Sequence, residues 1–121
     1  MATNTSSIEG TIGSMRFSSI AFAASTAGMR ALAACANVAV KLSGLGTFVR
    51  ECSAALWRPV IEETLDLFTP ARCMFGSNFP IESLWTTYGY IVAVMHECLA
   101  GLMAAERRAV LHDTAARLYR L

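Results

Sequence analysis

Three features of this chain predict an α/β fold built on parallel strands. Two short segments, Asn37-Val38-Ala39-Val40-Lys41-Leu42-Ser43-Gly44-Leu45 and Arg72-Cys73-Met74-Phe75-Gly76-Ser77-Asn78-Phe79-Pro80, have the composition of buried strands. Each runs from apolar residues into a cluster of small and polar ones, which is how a strand reads when its end opens onto a working surface. Helical patterns precede, separate and follow them, and such alternation builds parallel sheets.

The elements follow in order. Residues 1–16 are rich in Ser, Thr and Gly and have no hydrophobic period, so they read as an irregular lead-in. From Ser18 or Ser19 to about Cys35 an alanine-rich run predicts a helix, with Ile20, Ala24, Ala27, Ala31 and Ala34 along one face. Val38–Leu42 is the first strand, and Ser43-Gly44-Leu45-Gly46 a loop. Pro59 interrupts the next helical pattern. Proline is tolerated in a first turn and costs roughly 3 kcal/mol inside a helix, which sets the helix start near Trp57 or Arg58. Val60, Ile61, Thr64, Leu65 and Phe68 form its apolar stripe. Arg72–Gly76 is the second strand and residues 77–82 a loop. A helix apolar around its circumference follows from about Ser83 to Ala100, and a last one spans Ala104 to Tyr119, with Val110, Leu111, Thr114, Leu118 and Tyr119 on one face. A further strand is conceivable at Phe17–Phe22 or Tyr88–Met95.

Composition limits the function. The chain has 121 residues, of which 55% are hydrophobic and 16% charged. So small a domain has much surface for its volume and ordinarily carries more charge. Part of its apolar surface is therefore expected to meet a partner, a second copy or the rest of a larger fold. A net charge of +1 gives no field that would draw in nucleic acid or an anionic membrane. Lys41 is the only lysine, and no basic stripe with aromatic residues appears. No apolar run reaches the roughly 18 residues of a membrane-spanning helix. Cys35, Cys52, Cys73 and Cys98 are spaced too widely for a CxxC site and lie in apolar surroundings, which predicts reduced, buried thiols and a cytoplasmic location.

Five blocks carry a resemblance: Ala27-Gly28-Met29-Arg30-Ala31-Leu32-Ala33, Asn37 to Gly46, Trp57-Arg58-Pro59, Arg72 to Pro80, and Thr114-Ala115-Ala116-Arg117-Leu118-Tyr119-Arg120-Leu121. In this order they resemble the C-terminal part of the amidohydrolase-related family (amidohydrolase 2), in the branch similar to lactone hydrolases. The resemblance covers residues 27–121 and implies a partial (β/α)8 TIM barrel, with Val38–Leu42 as about strand 7 and Cys73–Gly76 as strand 8, flanked by helices. Active sites of such barrels lie at the C-terminal ends of the strands. The implied site residues are Asn78, at the position of the family's strand-8 acid, and Ser43 and Ser77 as substrate-binding residues. The implied substrate is a small lactone-type molecule. A divalent metal belongs to the complete family enzyme and no cofactor to this chain.

Two departures bear on activity. The family commonly carries aspartate where this chain has Asn78, and a carboxamide cannot take a proton from water. The family's histidine motifs lie upstream of the matching blocks, while His96 and His112 fall in predicted helices away from the strand ends. A catalytic zinc needs about three protein ligands, and this chain does not supply them. Little or no hydrolysis is expected of it alone. Lys41 reads as a snorkelling or partner-paired lysine. Glu82 is a solvated loop glutamate or a replacement base. Two other classes stay open: a non-catalytic helical module that self-associates, and an exported lipoprotein, because Leu32-Ala33-Ala34-Cys35 has the form of a lipoprotein cleavage box.

Overall fold

The structure, a computed structural model, describes residues 10–12, 15–19 and 26–121. Its sheet has four strands, β1 (Gly10–Ile12), β2 (Met15–Ser19), β3 (Val38–Leu42) and β4 (Cys73–Phe75), in the order β1-β2-β3-β4. The two segments picked out as strands lie side by side and run the same way, with Val40 opposite Cys73, Lys41 opposite Met74 and Leu42 opposite Phe75. β2 extends this parallel sheet on the far side of β3, and β1 pairs antiparallel with β2.

β1 and β2 correct the reading of the amino-terminal part. The irregular lead-in contains β1 and the start of β2, and Ser18 and Ser19 belong to a strand rather than a helix. Weak local patterning was outweighed by sheet pairing, since β2 hydrogen-bonds to a buried central strand. The conceivable strand at Phe17–Phe22 is β2 in part, whereas Tyr88–Met95 is helical. Ile20 and Ala24 lie outside the described residues.

Among the described residues five α-helices accompany the sheet: α1 (Thr26–Ala33), α2 (Ala54–Phe68), α3 (Tyr88–Cys98), α4 (Ala104–Arg108) and α5 (Thr114–Tyr119), the last two joined through a π-turn at Ala109–Asp113. Met29 and Ala33 carry α1 onto the core, while Ala27, Ala31 and Ala34 are exposed. The expected alanine face is thus displaced, because methionine gains more from burial than alanine. α2 starts earlier than its proline suggested. Ser53 caps it, its hydroxyl accepting from Leu56 N–H at 3.2 Å, and this cap outweighs the bond that Pro59 cannot make.

Strand alternation divides the core. Val38, Val40, Leu42 and Cys73 pack with Trp57, Ile61, Leu65 and Phe68 of α2 and with Ile91, Val94 and Met95 of α3. Ala39 and Met74 belong to the opposite face, where Leu118 of α5 covers them. Lys41 and Ser43 follow Ala39 on that second face. α3 is not covered all round, for Tyr88 and Tyr90 are about half exposed (54% and 52%).

Arg72 ties the layers together just before β4. Its guanidinium donates to the carbonyls of Ala33 (2.8 Å), Cys35 (3.0 Å), Val38 (3.1 Å) and Phe68 (3.3 Å) and lies over the Phe68 ring. One planar cation thereby satisfies carbonyls at the end of α1, the start of β3 and the end of α2. Thr114 Oγ1 donates to Pro70 O at 3.1 Å and Arg117 to Ala71 O at 2.6 Å, fastening α5 beside the same strand entry.

Candidate functional site

The carboxyl ends of β3 and β4 close on one another. Ser43 directly follows β3, and Gly76 directly follows β4, its N–H bonding Leu42 O at 3.0 Å. A Cβ on Gly76 would stand 3.1 Å from Ser43 Oγ and 3.2 Å from Lys41 Cδ, so the small residue permits this approach. Gly44, at φ +66°, turns the chain away. A Cβ there would meet Thr47 Oγ1 at 3.2 Å and Asn78 Nδ2 at 3.3 Å. The positive φ favours glycine at 44, and a side chain at 76 would need Ser43 and Lys41 to give way by a few tenths of an ångström.

Asn78 lies on the loop after β4 with φ 59°, a left-handed conformation that asparagine adopts more readily than most residues. Its Nδ2 donates to Glu82 Oε2 at 2.8 Å and approaches Thr47 Oγ1 at 3.3 Å. Thr47 Oγ1 donates to the same Glu82 oxygen at 2.8 Å. The three distances make a tight triangle, so both acceptors lie on one side of the amide nitrogen. The backbone repeats the link, Glu82 N–H donating to Asn78 O at 3.3 Å.

Glu82 corrects the expectation of a solvated loop residue. It is 2% exposed, held in a 3-10 turn over Ile81–Leu84. Four residues after Asn78, the carboxylate is brought under the loop by that turn. Its Oε1 and the Trp57 indole N–H are buried without a partner among the described residues, and both residues line the hollow beneath Ser43 and Ser77. Beside them burial raises the Cys52 thiol above its usual range. A hydrogen bond with Thr86 opposes this, and the Glu82 charge adds to it.

The structure thus brings Ser43, Ser77 and Asn78 to neighbouring strand ends. Ser77 Oγ accepts from Phe79 N–H at 3.3 Å, a turn contact that leaves its own O–H to donate elsewhere. Ser43 makes no side-chain hydrogen bond among the described residues. Lys41 is half-buried with no ion pair among them. Nothing in the sequence singles out Thr47, since a threonine directly after the Ser43–Gly46 loop carries no pattern that marks a partner 35 positions away. His96 and His112 are exposed on helices, His112 Nδ1 lying 2.9 Å from Asp113 Oδ1.

Parallel strands with helices packed on their faces and polar loops at their carboxyl ends define an α/β chain. Comparison with known proteins gives the family. The model of the amidohydrolase family (Amidohydro_2) matches residues 17–121, and the chain belongs to that family. It is similar to L-fucono-1,5-lactonase of Burkholderia multivorans, with 38% identity over 102 residues, 78% of this chain and 34% of that protein. It is also 39% identical over 93 residues to the uncharacterised protein y4mH of Sinorhizobium fredii, covering 77% of this chain and 31% of that one. Among solved structures, an amidohydrolase of Burkholderia multivorans with bound zinc matches with a TM-score of 0.73 at 36% identity, over 79% of this chain and 36% of that chain. A candidate 2-pyrone-4,6-dicarboxylic acid hydrolase of Pseudomonas putida matches with a TM-score of 0.62 at 26% identity, over 78% of this chain and 35% of that one. The chain spans about a third of the length of these relatives.

Zinc in that relative supports a divalent metal in the family. The residues here do not fit such an ion by themselves: among the described residues no three His, Cys, Asp or Glu side chains converge.

Proposed function

We propose that the chain supplies about strands 7 and 8 of a (β/α)8 amidohydrolase barrel that hydrolyses lactones or related carbonyl–oxygen bonds with activated water. The observation that carries this reading is the parallel pairing of β3 and β4 with Ser43, Ser77 and Asn78 gathered at their carboxyl ends. Similarity to a lactonase supports the substrate class, a small molecule with an ester ring.

In this reading Asn78 faces the substrate. Its nitrogen is turned toward Glu82, and its carbonyl oxygen takes no hydrogen bond among the described residues. The carbonyl can accept from an attacking water, and the second N–H can donate to an ester oxygen. Neither act removes a proton from the water, so the general base and the metal ligands belong to parts of the complete enzyme outside the described residues. Ser43 and Ser77 add hydroxyl donors toward the same substrate. Alone, the chain is inactive. A cytoplasmic setting is proposed from the four free cysteines, and no nucleic-acid or membrane partner is proposed.

The test is a chimera in which residues 27–121 replace the matching third of the Burkholderia lactonase. Hydrolysis of L-fucono-1,5-lactone should persist and fall at least about tenfold on Asn78→Ala. A folded chimera without activity sinks the reading. Hydrolysis of simple lactones by the isolated chain, abolished by Asn78→Ala, would overturn its inactivity.

A specific observation favours a second reading, self-association. β4 is an edge strand, and Phe48, Leu84 and Met103 are about three-quarters exposed (72%, 76% and 72%). The lipoprotein reading has less support: the Ala33 carbonyl is bonded by Arg72 and α1 packs on the core, and cleavage before Cys35 would remove both.

A further inference from the structure

We infer that Glu82 is a positioning residue for Asn78, and that positions 78 and 82 work as a matched pair of amide against buried carboxylate. This rests on the reading of Asn78 as substrate-facing. Glu82 Oε2 accepts two hydrogen bonds, from Asn78 Nδ2 and from Thr47 Oγ1, each at 2.8 Å. A carboxylate accepts and does not donate, so the amide has one workable orientation here. Turned over, it would set its own carbonyl oxygen against Oε2, two acceptors in contact with no proton between them. Glu82 therefore decides that the nitrogen points inward and the carbonyl oxygen is the end left for a ligand.

Thr47 reinforces the choice. Its only hydroxyl hydrogen goes to Glu82, so its oxygen can take a hydrogen from the amide nitrogen but cannot donate to an amide oxygen. Gly44 keeps the amide in place, because any Cβ there would press on Asn78 Nδ2 and Cγ. Three residues from two turns, Gly44 and Thr47 after β3 and Glu82 after β4, thus hold one amide, and Glu82 is the one whose chemistry sets its direction.

The pair also accounts for asparagine at the strand end. An aspartate at position 78 in this conformation would place a carboxylate oxygen about where Nδ2 now stands, in contact with a second carboxylate that is almost wholly out of water. Like charges at that separation and burial repel strongly. With glutamate at position 82, an amide at 78 pairs with the carboxylate directly, whereas an acid there has to hold a proton between the two carboxyl groups or bear the repulsion.

A double-substitution cycle tests this on the full chain by thermal unfolding at pH 8. Asn78→Asp should lower the midpoint by roughly 8 °C. Adding Glu82→Gln should restore most of that loss, because the carboxamide it introduces can donate to the new carboxylate. A midpoint unmoved by Asn78→Asp, or a loss that Glu82→Gln fails to restore, overturns the pairing. A second measurement reads orientation directly: the Asn78 side-chain amide resonances, assigned by Asn78→Ala. They should move toward free-amide positions in Glu82→Ala while the backbone spectrum stays native, and return toward the original in Glu82→Gln. Resonances that ignore Glu82→Ala sink the positioning role. Neither readout requires catalysis, so an inactive chimera would count against the proposed function and leave this inference to its own tests.

Discussion

At the scale of single residues, two positions away from Asn78 hold the site region together. Arg72 contacts four carbonyls from three elements. Arg72→Ala should lower unfolding free energy by about 3 kcal/mol, since hydrogen bonds to charged groups contribute more than neutral ones. Arg72→Lys should recover less than half of the loss, because an ammonium cannot reach carbonyls spread across a planar fork. Denaturant unfolding of the three proteins checks both. Gly44 combines a left-handed φ with two close polar neighbours. Gly44→Ala should cost roughly 1–2 kcal/mol of backbone strain and, in the lactonase chimera, lower activity as well by displacing the Asn78 amide. Gly46→Ala is expected to be worse, as its Cβ would run into the Glu51 carbonyl. These residue-level demands were only partly legible in the sequence. Glycines at a strand end announce a turn, but nothing in the string says that Arg72 reaches Ala33 or that Thr47 reaches Glu82.

At the scale of elements, capping and burial explain where segments begin and what they exclude. Ser53 starts α2, and Ser53→Ala should cost about 1 kcal/mol, seen as a lower midpoint with unchanged denaturant slope. β4 is short and its Cys73 wholly buried, and that burial pushes the thiol up to about 12, with the Arg72 charge opposing it more weakly. A folded-state value above the unfolded one of 9.0 stabilises the fold fully below about pH 9. The contribution drains as pH rises from there toward 12, by about 1.4 kcal/mol per pH unit. Cys52 and Cys98 shift in the same direction, also by burial. Unfolding free energy should therefore fall along an alkaline limb that Cys73→Val makes shallower. The pattern of β3 and β4 was readable because both are short, mostly apolar runs that end in small and polar residues. β2 was not, since its residues are ordinary and its identity comes from pairing with β3.

At the scale of the whole molecule, the thiols and the open edge give further tests. Cys35 is exposed and Cys52, Cys73 and Cys98 are buried, which corrects the expectation that all four would be inside. In native protein, one thiol of the four should react rapidly with an aromatic disulfide reagent and the rest only on unfolding. β4 leaves an edge that strand pairing can still extend, and the chain shows large apolar residues on its surface. The isolated chain should therefore sediment with a mass that grows with concentration, whereas the chimera, with that edge paired, should sediment at a mass that does not change with concentration.

The order of local patterns along the chain determined the α/β class, the two adjacent strands, the polar strand ends at Ser43, Ser77 and Asn78, and the family. Those properties reside in short apolar runs, turn residues and their spacing. Only the tertiary structure decided that β2 joins the sheet, that Cys35 is outside and that Glu82 lies buried against Asn78. The reason is distance along the chain: pairing, burial and hydrogen bonding join residues tens of positions apart, and no local pattern encodes which two will meet.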